Sequence, residues 1–164
     1  MATESPLKDK TVLIVDDEPD ILETVGELLD MCVLHKAGDY DTAVQYLSNN
    51  SYDVVVLDIM GVNGFGLLKI SESKGFPTVM LTAHAVTPEA LKRSMDMGAV
   101  SFIPKDKIIE LRGLLEDIVQ GGGRRLWWLS SLEKLDDYFD ERFGTDWKEK
   151  DQFFKDFVAS LKKD

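Results

Sequence analysis

Cysteine is almost absent from this chain: Cys32 stands alone among 164 residues, so no intrachain disulfide can form and the usage fits a reducing compartment. Basic residues are also scarce, 19 Lys and Arg against 30 Asp and Glu, for a net charge of −11. Non-specific nucleic-acid binding needs cations to neutralise phosphates, and adsorption to anionic membrane surfaces needs them too, so both are disfavoured. No apolar run approaches the roughly 20 residues that span a bilayer. Met1 to Lys10 is polar and lacks the apolar core of a signal peptide. Nor does a Gly-Lys-Ser/Thr follow the glycines at 61, 64 and 66, which therefore read as turn residues and not as a phosphate loop. These absences predict an acidic, soluble, cytoplasmic protein with neither nucleic acid nor membrane as partner. A hydrophobic content of 44% suffices for one ordinary core.

What is present is a regular alternation. Thr11–Val15, Cys32–His35, Asp53–Leu57, Pro77–Leu81 and Val100–Ile103 are short, β-branched or apolar runs of the kind buried on both faces of a parallel sheet. Between them lie helical spacings. Pro19 opens one carrying Ile21, Leu22, Val25, Leu28 and Leu29, and Asp41 is placed to cap one carrying Ala43, Val44 and Leu47. Leu67, Leu68 and Ile70 mark a third, and Thr87-Pro88-Glu89 opens a fourth that Gly98 stops. Residues 108–119 make the fifth. Five β/α units predict an α/β fold, a doubly wound five-stranded parallel sheet of flavodoxin-like order 2-1-3-4-5. That order brings the ends of strands 1 and 3 side by side.

Four of the five strands close on a polar residue. Asp16 and Asp17 follow the first run, Asp58 the third, Thr82 the fourth, and Lys105 the fifth. Ligands of open α/β sheets bind beyond the carboxyl ends of the strands, so these side chains are expected to converge. Three carboxylates in one place repel one another unless a divalent cation sits among them, which implies Mg²⁺. A carboxylate nucleophile, a cation, an ammonium and a hydroxyl together suit phosphoryl transfer onto an aspartate.

These residues, in this order, resemble the receiver domain of bacterial response regulators, the CheY-like fold, over about residues 9 to 120. The resemblance implies that Asp58 accepts the phosphoryl group. It implies that Asp16, Asp17, Asp58 and the backbone carbonyl of Met60 hold Mg²⁺, and that Thr82 and Lys105 engage the phosphate. Phe102 matches an aromatic that rotates inward as Thr82 moves, and Met60 and His84 match positions that tune self-hydrolysis. The chain departs from the family pattern in two places. Asp106 stands where a proline usually follows the lysine, with Pro104 before it, and the loop after Asp58 is about two residues shorter than usual.

Gly121-Gly-Gly123 breaks the pattern. The reading divides the chain into a receiver domain over 1–120, a linker over 121–125 and a helical hairpin tail over 126–164. Trp128, Leu132, Leu135, Phe139 and Phe143 recur at three or four, giving one apolar face, and Gly144 and Asp146 separate it from a second helix. The tail is expected either to pack on the receiver or to serve docking. The implied partners are a histidine kinase or phosphotransfer protein and an unknown protein effector, with a homodimer through the tail or the receiver face as an open assembly. The protein is expected to act as a stoichiometric phosphoacceptor and not as an enzyme. The rival readings are an unphosphorylated adaptor of the same fold and an aspartyl-phosphate-type metal-dependent phosphohydrolase. Such hydrolases favour a second acid two residues past the nucleophile, where this chain has Met60.

Overall fold

The computed structural model describes residues 4–83, 87–147 and 152–161. Five strands, β1 (Thr11–Val15), β2 (Val33–Ala37), β3 (Val54–Asp58), β4 (Thr78–Thr82) and β5 (Ser101–Pro104), form one sheet in the order β2-β1-β3-β4-β5. Every pairing is parallel. The expected order is therefore the observed one, with strand bounds shifted by about one residue. β3 and β4 are buried along their whole length, as apolar runs between two helical layers should be. β2, at the edge, is half exposed.

The helices sort onto two faces. α1 (Pro19–Leu28) and α5 (Leu111–Val119) pack Val25, Leu111, Leu114, Leu115 and Ile118 against Val12, Ile14, Val54 and Val56. α2 (Tyr40–Asn49), α3 (Gly64–Ser73) and α4 (Pro88–Asp96) pack Ala43, Leu47, Leu67, Leu68, Leu91 and Met95 against Leu13, Val55, Leu57 and Met80. Alternate residues of each strand thus feed opposite layers, the period-two consequence of the pleat.

Three local expectations need correction. Asp39, not Asp41, caps α2, because its carboxylate accepts the Thr42 amide at 2.8 Å while Asp41 lies within the first turn. The fifth helix starts at Leu111; residues Lys105–Glu110 form a 3₁₀ segment after Pro104. The tail's first helix, α6 (Gly123–Phe143), begins inside the stretch expected as linker. There the Arg124 side chain donates to the carbonyls of Met95 and Ala99 and anchors the start of the helix. Thr87 caps α4 as expected, its hydroxyl accepting from Ala90 N at 3.1 Å.

The tail packs on the receiver. α6 lies against β5 and α5, and α7 (Gln152–Leu161) lies against α6. Trp128, Phe139 and Phe154 are each at most 1% exposed and join the same apolar layer as α2, α3 and α4. Burying each such ring is worth roughly 1.5–3 kcal/mol, so the tail is bound as core and not as a loose appendage. Polar contacts fix its register: Trp127 donates to the carbonyls of Asp117 and Gly121, and Ser130 donates to Asp117 Oδ2 at 2.6 Å. His35 packs at the edge of this layer, its ring 5.2 Å from that of Tyr46, and its Nδ1 hydrogen-bonds the Tyr52 hydroxyl at 2.8 Å.

Candidate functional site

The site forms where β1, β3, β4 and β5 end. Asp16 and Asp17 leave β1 directly, and the turn they enter is set by Asp16 itself, whose Oδ1 accepts the Glu18 amide at 2.9 Å. Asp58 is the last residue of β3 and is 4% exposed. Asp16, Asp17 and Asp58 bring one carboxylate oxygen each within 4.8 Å of one another; Asp16 and Asp58 are buried and Asp17 is exposed.

Lys105 closes the group from the β5 side. Its Nζ lies 2.8 Å from Asp16 Oδ2, 3.3 Å from Glu18 Oε2 and 3.4 Å from Asp58 Oδ1. The contact to Asp16 is an ion pair without the alignment of a hydrogen bond, so this fully buried oxygen has no well-formed donor among the described residues. Burial is the largest single effect on Lys105 and pulls it down, but Asp16, Asp58 and Glu18 together hold the ammonium above the ordinary lysine value. Burial pushes the Asp16 carboxyl up despite Lys105. Burial and then the charge of Asp16 push Asp58 up as well. One ammonium does not offset three carboxylates. An all-oxygen donor set with a poorly satisfied buried oxygen suits a hard divalent cation of the Mg²⁺ class.

The short loop after Asp58 is built on glycines. Gly61 donates its amide to Asp58 Oδ2 at 3.3 Å, and a Cβ placed there would lie 2.3 Å from Asp17 Oδ1. Glycine at this position leaves that space to the Asp17 carboxylate, which a larger residue would push aside. A Cβ on Gly64 would lie 2.1 Å from the Asp58 carbonyl, so the loop folds tightly back on its own strand. Asn63, at φ +54°, makes the turn and caps α3 through Gly66 N. Met60 points outward, 82% exposed.

Thr82 ends β4, is 4% exposed and pairs in register with Pro104, one residue before Lys105. Phe102 is fully buried, with its ring 6.4 Å from that of Phe139 on α6. His84 lies outside the described residues. The structure thus gathers Asp16, Asp17, Asp58, Thr82 and Lys105 at one end of the sheet and sets Phe102 beneath the tail. Sequence reasoning passed over Glu18, whose carboxylate turns to Lys105 instead of capping α1. Its place directly after the acidic pair was the available signal. The Gly61 amide gave none, since a turn glycine and an amide donor read alike.

A family model described as the response regulator receiver domain matches residues 12–116, from β1 into α5. The chain belongs to the response regulator receiver domain family. Its curated relatives include the two-component response regulator ARR18 of Arabidopsis thaliana. It is 32% identical over 116 residues, covering 66% of this chain and 18% of that protein. The phosphate regulon transcriptional regulatory protein PhoB of Escherichia coli is 30% identical over 122 residues, covering 66% of this chain and 53% of PhoB. Among solved structures, a receiver domain protein from Clostridium thermocellum superposes with a TM-score of 0.61 at 22% identity. That match covers 68% of this chain and 94% of the other, and shows the fold. The chain thus spans about half of PhoB and under a fifth of ARR18. It carries the receiver domain of a two-component system, and among the described residues no helix is long and apolar enough to cross a membrane.

Proposed function

We propose that this receiver is phosphorylated on Asp58 by a histidine kinase or phosphotransfer protein and signals through protein–protein contacts. The observation that carries the reading is the convergence of Asp58 with a buried, ion-paired Lys105 and two further carboxylates at the ends of neighbouring strands. Mg²⁺, held by Asp16, Asp17, Asp58 and the Met60 carbonyl, would offset the repulsion between these carboxylates and the incoming phosphoryl oxygens. An Asp58 oxygen attacks phosphorus as the bond to the donor's imidazole nitrogen breaks. The electron pair returns to that nitrogen, which takes a proton from water. Lys105 neutralises a phosphoryl oxygen as a point charge, and Thr82 donates a hydrogen bond to another. The Gly61 amide already faces the acceptor carboxylate. The chain is a stoichiometric acceptor that assists only its own phosphorylation and dephosphorylation. Met60, exposed and apolar two residues past Asp58, supplies no acid for turnover of the hydrolase type.

Borohydride reduction after treatment with acetyl phosphate and Mg²⁺ tests the assignment, because it converts an aspartyl phosphate to homoserine. Homoserine at position 58 in the peptide map supports the reading; reduction at another position, or at none, rejects it.

A further inference from the structure

The residue after Lys105 is tied to the tail. Asp106 Oδ2 accepts from Arg142 of α6 at 3.3 Å, and the Arg142 guanidinium lies over the Tyr138 ring, 5.2 Å from its centroid. The Tyr138 hydroxyl, held above the ordinary phenol range first by burial, lies beside both charges without a well-aligned hydrogen bond. Lys105 and Asp106 are therefore consecutive residues with different partners, one the acceptor carboxylates and one the C-terminal end of α6. Little slack separates them. Pro104 fixes the backbone before them at φ −66°, and both open the same 3₁₀ segment. Three residues before Lys105 on β5, Phe102 packs on Phe139 of the same end of α6.

We infer that Arg142 is a positioning residue for the acceptor site: the end of α6 holds Asp106 and thereby sets where Lys105 stands. The inference rests on the reading of Asp58 as acceptor and adds a tail residue to its machinery. Two effects act in the same direction when Arg142 is lost. The 3₁₀ segment loses its outer anchor, so Lys105 is held less firmly against Asp16 and Asp58. Asp106 also loses its counter-charge, adding an uncompensated carboxylate beside a site that must admit an anionic donor. Both slow phosphorylation. By linkage, a phosphoryl group on Asp58, which carries −1.5 to −2 charges, must draw on the same ammonium and alter the seating of Tyr138–Phe143. The N-terminal half of α6 is held separately, through Trp128 and Arg124, and stays in place.

The test is a double-mutant cycle in the full chain with acetyl phosphate and Mg²⁺, read as initial rate by intact mass. Arg142→Ala is expected to slow phosphorylation about fivefold. Arg142→Lys recovers part of that loss. In an Asp106→Asn background the Arg142→Ala change has little further effect, since the pair is already broken. Thermal unfolding of each variant, near the wild-type value for an exposed ion pair, separates positioning from misfolding. Hydrogen exchange over Tyr138–Phe143 should change on phosphorylation of the wild type while that over Leu126–Leu132 does not. Equal rates for wild type and Arg142→Ala, or the same Arg142→Ala effect in both backgrounds, would overturn the inference and leave Asp58 as acceptor untouched. Failure of the wild type to gain mass would instead overturn the acceptor reading, and the inference with it.

Discussion

The indole Nε1 of Trp128 donates to the carbonyl of Ala99 at 2.9 Å, and both residues are fully buried. This bond joins the first tail helix to the loop entering β5, and the ring fills the layer shared by α4 and β5. The tail is thus a structural neighbour of the strand that carries Phe102 and leads to Lys105.

Trp128→Ala is expected to destabilise the whole chain by about 3–5 kcal/mol, since it opens a cavity and removes one of the two donors to the Ala99 carbonyl, leaving only Arg124 Nε at 3.3 Å. Urea unfolding monitored by far-UV circular dichroism should show one transition at a lower midpoint. A separate early transition, leaving the receiver at full stability, would show the tail to be an independent unit.

Asp58 costs the metal-free protein stability, because burial and the charge of Asp16 both raise it. Asp58→Asn removes a repelling charge of the same shape and should raise the midpoint of thermal unfolding without metal. Millimolar Mg²⁺ should raise the wild-type midpoint by mass action and the variant's much less. Equal shifts for both would place any bound cation elsewhere.

Glu18 draws Lys105 away from the acceptor, 3.3 Å against 3.4 Å for Asp58. Its carboxylate is half exposed, so the competition is weak, of the order of a surface pair at about 0–1 kcal/mol. Glu18→Gln is expected to raise the initial rate of phosphorylation by acetyl phosphate, by up to roughly fivefold. A slower variant would mean that Glu18 orients the lysine and does not compete for it.

Burial pushes the Cys32 thiol up to about 11. At pH 8 it should alkylate slowly with iodoacetamide, and faster once urea exposes it at an ordinary thiol value near 8.5. The sign for stability follows: a raised thiol favours the protonated native state. The contribution is therefore complete below about pH 8.5 and is lost as pH rises towards 11. Alkylation equally fast in folded and unfolded protein would contradict the burial.

Met60 offers no polar group beside Asp58 to align a hydrolytic water, and its side chain faces solvent. The phosphorylated chain is expected to persist for minutes or longer at neutral pH with Mg²⁺. Loss within seconds, followed by intact mass, would assign water positioning to another group.

Much of this is legible in the sequence. The sheet order followed from five apolar runs and the crossover rule, and the convergence of Asp16, Asp17, Asp58 and Lys105 followed from that order. Asp39 was missed as a cap because Asp41, two residues on, offers the same chemistry, and only backbone geometry separates them. The 3₁₀ segment at Lys105 was missed because Ile108 and Leu111 fit a helical period as well as they fit a turn leading into one. Whether the tail packs or waits for a partner lay beyond its spacing, since an apolar helical face reads the same against either surface. Asp106 read only as a departure from a family pattern; its partner Arg142 lies 36 residues away, at a distance no local rule spans.

The most direct test of the account is the intact mass of wild type and Asp58→Asn after incubation with acetyl phosphate, with and without Mg²⁺. One added phosphoryl group is expected on the wild type, only with Mg²⁺, and none on the variant. A wild type that gains no mass, or a variant that gains as much, would contradict it.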